Sequence, residues 1–216
     1  MLKILKGQED AFRGVIVCEE TSNASSLPLV LHFLSTALNA NQKVVIVTSK
    51  FTETNYKLIS SKAGIRWIPS NISFHKIFEP TESFNESVDL MMENVYKKVS
   101  ESNASVVLFD DLSVLEQLGA KSVDVTVFVH RIYSLLQKVS SDSALVLAPF
   151  SVASQTTRLL RNRCHVFAQL TSVGHGFGKD ASSKVVATVR TIGGLSTKKG
   201  ILLSGERTIN GAWVSV

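Results

Sequence analysis

Short runs of consecutive apolar residues recur along the first two thirds of the chain, and stretches with apolar residues every three to four positions separate them. An unbroken run is typical of a strand covered on both faces, whereas the wider spacing predicts a helix with one buried face. Strand and helix therefore alternate, which indicates a mainly parallel sheet flanked by helices. Strands are predicted at 14–18, 43–48, 73–75, 106–111 and 144–148, helices at 27–38, 52–62, 83–100 and 123–139, a short turn or helix at 112–119, and a helix closing at 158–163.

After residue 164 the pattern changes to alternation of apolar and polar residues, which predicts strands at 165–170 and 184–190 joined by the Gly-rich segment 174–180. A further strand is predicted at 201–204, and Asn210-Gly211 has the signature of a tight hairpin. No repeat, linker or low-complexity tract divides the chain. The sequence therefore predicts one α/β domain over residues 1–216, with antiparallel C-terminal hairpins at one edge of the sheet.

Charge is distributed unevenly. Residues 1–150 carry 14 Lys and Arg against 16 Asp and Glu, a net of −2, whereas residues 151–216 carry 9 against 2, a net of +7. A basic final third suits a polyanionic partner, but solvated or salt-bridged side chains give the same count. Both interpretations stay open from charge alone.

Apolar run length, the first residues and the cysteine count indicate the cellular compartment of the protein. Every apolar run is shorter than the roughly 18 residues that cross a bilayer, and the first six residues are too short and too charged for a signal peptide. Cys18 and Cys164 are too few for a disulfide framework, so both are predicted to be buried free thiols. We expect a cytoplasmic protein without a membrane partner.

Two carboxylates, Asp110 and Asp111, follow the apolar run that starts at Val106. Open α/β sheets bind ligands at the carboxyl ends of their strands, and an acid there can hold Mg²⁺ beside a phosphate-binding loop. The alternative is structural, with one acid capping the next turn and the other solvated. The structural interpretation is favoured, because Mg²⁺ needs substrate phosphates or further carboxylates that the sequence does not place nearby.

The loop after the first strand decides whether a phosphate can bind. Such a loop needs glycines that let backbone amides surround the phosphates, and a lysine that reaches the outer oxygens. Residues 19–26 read Glu-Glu-Thr-Ser-Asn-Ala-Ser-Ser, with neither Gly nor Lys and with two acids where phosphate charge would lie. Ser25 and Ser26 could cap the first helix and meet a magnesium-bound group, but capping alone is the better explanation, with Ser26 as the plausible N-cap.

Other catalytic patterns are also missing. The sequence has no C-x-x-C pair, no metal-binding histidine spacing and no G-x-S-x-G motif, and its five histidines are scattered. Ser83 to Glu86 has capping-box spacing and is assigned to a helix start. We predict no catalytic residue, no cofactor and no bound metal.

At this point the residues resemble a known family. The strand–loop–helix start, the block Asp110-Asp111-Leu112-Ser113-Val114-Leu115 continuing to Leu118-Gly119, and the late Gly176-Phe177-Gly178-Lys179-Asp180 are similar to a RecA-type ATPase domain without its phosphate loop. More narrowly, together with Leu31-His32-Phe33-Leu34-Ser35 and Asn41-Gln42-Lys43-Val44, they resemble the family of the sixth subunit of the Elongator complex.

That resemblance implies a RecA-like fold and a hetero-hexameric ring made with Elongator subunits four and five. It also implies that the ring binds tRNA and docks on the catalytic subunits of Elongator, supporting modification of the wobble uridine, in the cytoplasm and also in the nucleus. Members of the ring lack the complete phosphate loop. Ser25, Ser26, Asp110 and Asp111 therefore correspond to a degenerate nucleotide site.

In such rings the loop after the strand that ends at Ala148, here 149–155, faces the central channel. This places Arg158, Arg161 and Arg163, and Lys179 of the later hairpin, as candidate RNA-binding residues. Salt bridges from the three arginines to neighbouring subunits are an equal alternative. Two other functions stay open: an ATPase with an atypical loop, and an assembly scaffold without RNA contact.

Overall fold

The computed structural model describes residues 13–21, 24–77, 86–151, 154–172, 181–191, 194–204 and 209–213. The strands are β1 Gly14–Glu20, β2 Val44–Thr48, β3 Ile72–Lys76, β4 Val106–Phe109, β5 Ala144–Ser151, β6 Val166–Ser172, β7 Ala181–Thr191, β8 Gly194–Ser204 and β9 Ile209–Trp213. The α-helices are α1 Leu27–Asn39, α2 Glu53–Lys62, α3 Val88–Ser102, α4 Ser113–Gln117, α5 Ser122–Val139 and α6 Gln155–Arg161.

The strands form one sheet in the order β3-β2-β4-β5-β1-β6-β7-β8-β9. All pairs from β3 to β6 are parallel. Beyond β6, the strands β7, β8 and β9 pair antiparallel and extend the sheet at that side. The predicted class, α/β with a mainly parallel sheet, flanking helices and antiparallel C-terminal strands, is confirmed.

Hydrophobic clusters on both faces of the sheet explain the unbroken apolar runs. Successive side chains of a strand point to opposite faces, so Leu108 packs in the cluster that contains α1 and Tyr56 of α2. Phe109, the next residue, packs in the cluster that contains α3 and α5. Because each face of the central strands is covered, both faces of these strands carry mainly apolar side chains.

Two predicted loop and helix boundaries are wrong. β1 continues through Glu19 and Glu20, which were assigned to the following loop. These residues join the ladder because their backbones pair with β5 and β6 on either side. α3 begins at Val88 with Ser87 as its N-cap, whose hydroxyl accepts the Leu90 N–H at 3.3 Å. The predicted cap Ser83 lies outside the described residues.

Two further differences concern strands. β5 extends to Ser151, so most of the predicted loop 149–155 is strand or helix, and residues 152–153 lie outside the described part. Asn210 and Gly211 do not form a hairpin turn, because both lie within β9 and pair with β8. In these places backbone pairing with a neighbouring strand overrides the local preference for a turn.

Gly14 and His165 meet at the amino end of β1. The His165 ring lies against Gly14, so a Cβ on residue 14 would come within 2.3 Å of ring atom Cγ, and Gly14 has φ +85°. His165 Nδ1 accepts the Val15 N–H at 3.0 Å. Burial, followed by the charge of Arg190, lowers the pKa of His165, which suits a neutral ring that accepts this bond.

The two cysteines are buried free thiols, as predicted. Within the described ranges, no helix combines the length and apolar character needed to span a membrane.

Candidate functional site at the carboxyl edge of the sheet

The predicted acids and the predicted hydroxyls lie along the same edge of the sheet. Asp110 and Asp111 follow the carboxyl end of β4, and Ser25 and Ser26 follow the carboxyl end of β1. Strand β5 lies between β4 and β1, so the two strands that precede these pairs are about 10 Å apart across the sheet. Among the described residues, no hydrogen bond joins one pair to the other.

Asp110 is buried, with 6% of its surface exposed, and is fully hydrogen-bonded. One carboxylate oxygen accepts the Ser49 N–H at 3.1 Å. The other accepts the Thr48 hydroxyl, and the Tyr56 hydroxyl at 3.3 Å. The carboxylate therefore ties β4 to the end of β2 and to helix α2.

The burial of Asp110 affects its pKa. Loss of solvent raises the pKa of Asp110 above its ordinary value, while the hydrogen bonds from Thr48 and Ser49 act in the opposite direction. Burial and the neighbouring Asp110 also raise the pKa of Tyr56, so its hydroxyl keeps its proton and donates. The protein thus supplies the hydrogen-bond donors that solvent would otherwise supply, and these donors engage the oxygen lone pairs that a metal ion would need.

Asp111 is buried as well and also has protein partners. Its Oδ1 accepts the Ser113 hydroxyl at 2.5 Å, and its Oδ2 forms a 3.2 Å ion pair with Lys50 Nζ. The structural interpretation expected one solvated acid, and that detail is wrong, since both acids are less than 8% exposed. The expected capping role is also wrong, because Asp111 accepts a side-chain hydroxyl and α4 has no side-chain cap.

The two glutamates at the end of β1 have different environments because they point to opposite faces of the sheet. Glu19 is buried, and its Oε2 accepts Gln169 Nε2 at 2.8 Å on the adjacent strand β6. Glu20 turns towards helix α1, where its Oε1 accepts the backbone N–H of Ser26. The carboxylate of Glu20 thus occupies the helix end at which a phosphate binds in nucleotide-binding folds.

The remaining donors at the start of α1 are also satisfied within the chain. Leu27 N–H donates to Ser25 Oγ at 3.3 Å, Pro28 has no N–H, and Leu29 N–H donates to the Ser26 carbonyl at 2.9 Å. Ser26 occupies the predicted N-cap position, but its side chain makes no capping bond, so that part of the prediction is wrong. Ser25 supplies the hydroxyl instead.

Glu116 is a carboxylate at this edge that the sequence analysis did not identify. It accepts the hydroxyls of Ser154 and Thr156 at 2.6 Å each and that of Ser122 at 2.7 Å. Burial alone would raise the pKa of Glu116, but these bonds outweigh it and lower the pKa. The Ser/Thr-rich stretch after β5 was the available signal, although its partner lies some 38 residues earlier in sequence.

None of the described residues forms a group of three or more His, Cys, Asp or Glu side chains that could hold a metal ion. Each of the four carboxylate oxygens of Asp110 and Asp111 has a protein donor. The described carboxyl edge is chemically suited to fastening β4 to β2 and α2, and β1 to the start of α1.

The candidate RNA-binding arginines lie on or directly after α6, which begins at the carboxyl edge beside Glu116 and leads towards the amino edge. Arg158 and Arg161 are exposed on α6, and exposed Arg163 follows it just before β6, whose first residue pairs with Ile16 near the amino end of β1. The structure therefore separates Arg163, near the amino edge, from Asp110 and Asp111 at the carboxyl edge. Lys179 lies outside the described residues.

Arg190 joins this basic cluster and was missed in the sequence, where it is one residue of a long strand. Its Nη2 donates to the Asn162 carbonyl at 3.1 Å. Arg190 and Arg161 both act on the pKa of Cys164, which burial nevertheless raises to about 11. The guanidinium of Arg161 stacks 4.8 Å from the centre of the Phe167 ring. No acid among the described residues pairs with Arg158, Arg161, Arg163 or Arg190.

No protein-family model matches this sequence, and no curated protein matches it either.

Proposed function

We propose that this chain is a non-catalytic, RecA-like subunit of an Elongator-type hetero-hexameric ring, made with subunits four and five, that binds tRNA and supports wobble-uridine modification by the catalytic subunits. The observation that carries the non-catalytic role is the start of α1. There Glu20 occupies the position of a phosphate, and every first-turn donor has a partner within the chain.

Electrostatics supports the same conclusion. A triphosphate approaching α1 would meet the carboxylate of Glu20 instead of free amides, and at a modest effective dielectric two such charges about 4 Å apart repel by several kcal/mol. The acids that could share Mg²⁺ are already engaged, Asp110 by Thr48 and Tyr56 and Asp111 by Lys50. A nucleotide would have to break these contacts before it gained any of its own.

The RNA-binding role is supported by exposed cations without acidic partners among the described residues. Arg158, Arg161, Arg163 and Arg190 lie on or beside α6, so a backbone phosphate could approach them without displacing a carboxylate. Arginine binds phosphate through paired N–H donors, and such contacts contribute affinity without reading sequence.

The RNA role can be tested on the assembled ring. Arg158, Arg161 and Arg163 are changed together to alanine, and tRNA affinity is measured across a salt series. Affinity should fall at least tenfold at low salt, and the dependence of log K on log salt should flatten because fewer counterions are released. Arg66→Ala is the matched control, since Arg66 is also exposed and lies before the edge strand β3. Unchanged affinity and slope in the triple variant would assign the chain to scaffolding alone.

The nucleotide question needs a separate assay on the isolated, folded chain. Labelled ATP with Mg²⁺ is titrated to about millimolar concentration, where even a weak site of about 4 kcal/mol would be half filled. We expect no saturable binding. A saturable isotherm that disappears in Asp110→Asn would favour the ATPase alternative and would contradict the proposal.

A further inference from the structure

Residues of helices α3 and α5 line a groove that has apolar side chains and a charged rim. Its cavity measures about 290 Å³, and its floor is formed by the buried side chains of Met92 and Phe128. One wall is Val127, which is 51% exposed, and Val123 one turn earlier is 60% exposed. Exposed β-branched side chains beside a groove mark a surface suited to covering by another molecule.

The rim of this α3–α5 groove is acidic. Asp89, Glu93 and Asp124 face a single cation, Arg131. Arg131 already pairs with one of these acids, because its guanidinium donates to Glu93 at 3.1 and 3.4 Å. The same guanidinium stacks 4.4 Å from the centre of the Tyr96 ring. Asp89 and Asp124 have no ion-pair partner among the described residues, so the groove carries uncompensated negative charge.

A helix dipole explains part of this arrangement. Asp89 and Asp124 each lie in the first turn of a helix, where a carboxylate is favourable. The dipole does not explain why Val123 and Val127 are left exposed between them. An acidic rim also disfavours RNA and anionic lipid, and about 300 Å³ is the lower limit for a small-molecule pocket. The surface therefore suits a protein segment that is both basic and apolar.

The same chain presents a segment of that kind. Helix α6 exposes Arg158, Leu159, which is 37% exposed, and Arg161, whose guanidinium also stacks on the Phe167 ring. α5 packs against α3 on one side and against α6 on the other, so the groove and α6 lie on the same face of the sheet. Two copies placed face to face could therefore make both contacts at once, as in an isologous dimer.

We propose that a second copy of this chain docks on the α3–α5 groove through its α6, with Arg158 and Arg161 facing Asp89 and Asp124 and with Leu159 against Val127. The contact is reciprocal, so each dimer contains it twice. It goes beyond the ring assembly proposed above and does not depend on it. It also competes with RNA for the same arginines.

Self-association of the purified full chain tests the proposal by sedimentation at about 50 mM and about 500 mM salt, where screening differs strongly. The wild type should dimerise at low salt and dissociate at high salt. Asp89→Lys with Asp124→Lys should weaken dimerisation at least tenfold, and so should Arg158→Glu with Arg161→Glu. Glu101→Lys is the matched control, because it reverses an exposed acid at the far end of α3 and should leave the dimer unchanged.

Mixing the two charge-reversed variants gives the sharpest result. Each should be monomeric alone, yet together they should form a heterodimer, since lysines in one groove then face glutamates on the other α6. If lysine in a helix first turn prevents folding, Asp89→Asn with Asp124→Asn replaces that variant and should weaken the dimer in the same direction. A wild type that stays monomeric at low salt, or a dimer indifferent to both reversals, would overturn the proposal.

Discussion

Replacing Asp110 with alanine tests whether the acids at the carboxyl edge are structural. The change removes the acceptor for the Thr48 hydroxyl, the Ser49 N–H and the Tyr56 hydroxyl, all in a buried site. Each lost bond costs about 1 kcal/mol net, and an unpaired buried donor costs about 1–3 kcal/mol. The cost of burying the carboxylate, visible in its raised pKa, offsets part of the loss.

From these terms we expect Asp110→Ala to lower the free energy of unfolding by about 3 kcal/mol. Asp110→Asn should lose less than half of that, because the amide oxygen still accepts one bond and the hydroxyls can reorient. In urea this corresponds to a midpoint shift of about 1 M for the alanine variant. Tryptophan fluorescence and circular dichroism report the transition.

Asp142→Ala is the matched control. Asp142 is a surface acid, 53% exposed, that pairs with the half-exposed Arg13 at 3.2 Å. Such a pair contributes at most about 1 kcal/mol, so its removal should move the midpoint only slightly. If Asp110→Ala were as mild as this control, or stabilising, the acid would be held at a cost to stability, as functional residues often are. That result would refute the structural reasoning and revive a metal role.

Three further predictions concern other parts of the chain. Gly14→Ala should lower the free energy of unfolding by about 3 kcal/mol, because residue 14 has a left-handed backbone and its new Cβ would collide with His165. Adding His165→Ala should recover only the steric part of this loss. Urea midpoints of the single and double variants will show the difference. Because folding lowers the pKa of Glu116, its contribution to stability is complete above the unfolded pKa of 4.5 and is lost as pH falls through the folded pKa. Glu116→Gln should therefore lower the free energy of unfolding by about 1 kcal/mol at neutral pH, allowing for partial exposure. Denaturation measured below pH 4.5 should show a progressively smaller loss. Burial raises the pKa of Cys18 to about 12 and that of Cys164 to about 11. Neither thiol should therefore react with a disulfide reagent at about pH 8 in the native protein, and both should react after unfolding. Rapid labelling of the native protein would contradict their burial.

The opposite placement of acids and arginines bears on how the proposed functions could coexist. Asp110 and Asp111 lie at the carboxyl edge, whereas Arg161 and Arg163 lie at the amino edge. A variant at one edge should therefore leave the other unaffected, since distant sites without shared partners act additively. Stability measurements on Asp110 variants and RNA measurements on arginine variants can be interpreted separately.

The sequence by itself determined the class of fold and the lack of a glycine- and lysine-bearing phosphate loop. Unbroken runs such as Val106 to Phe109 require cover on both faces, and that requirement alone implies a helix-flanked parallel sheet. Helical spacing likewise located α1 and α5 to within a residue. These features are local, because a run or a period is complete within one segment of chain.

Only the tertiary structure decided what the polar residues do. Asp110 finds its donors 54 to 62 residues earlier in the chain, and Glu19 finds Gln169 150 residues later. The sequence predicts Glu20 in a loop, but the pairing of β1 with β5 and β6 extends the strand to include it. The carboxylate of Glu20 then contacts the start of α1. A hydrogen bond depends on which distant atoms the fold brings within about 3 Å, and no local pattern encodes that choice.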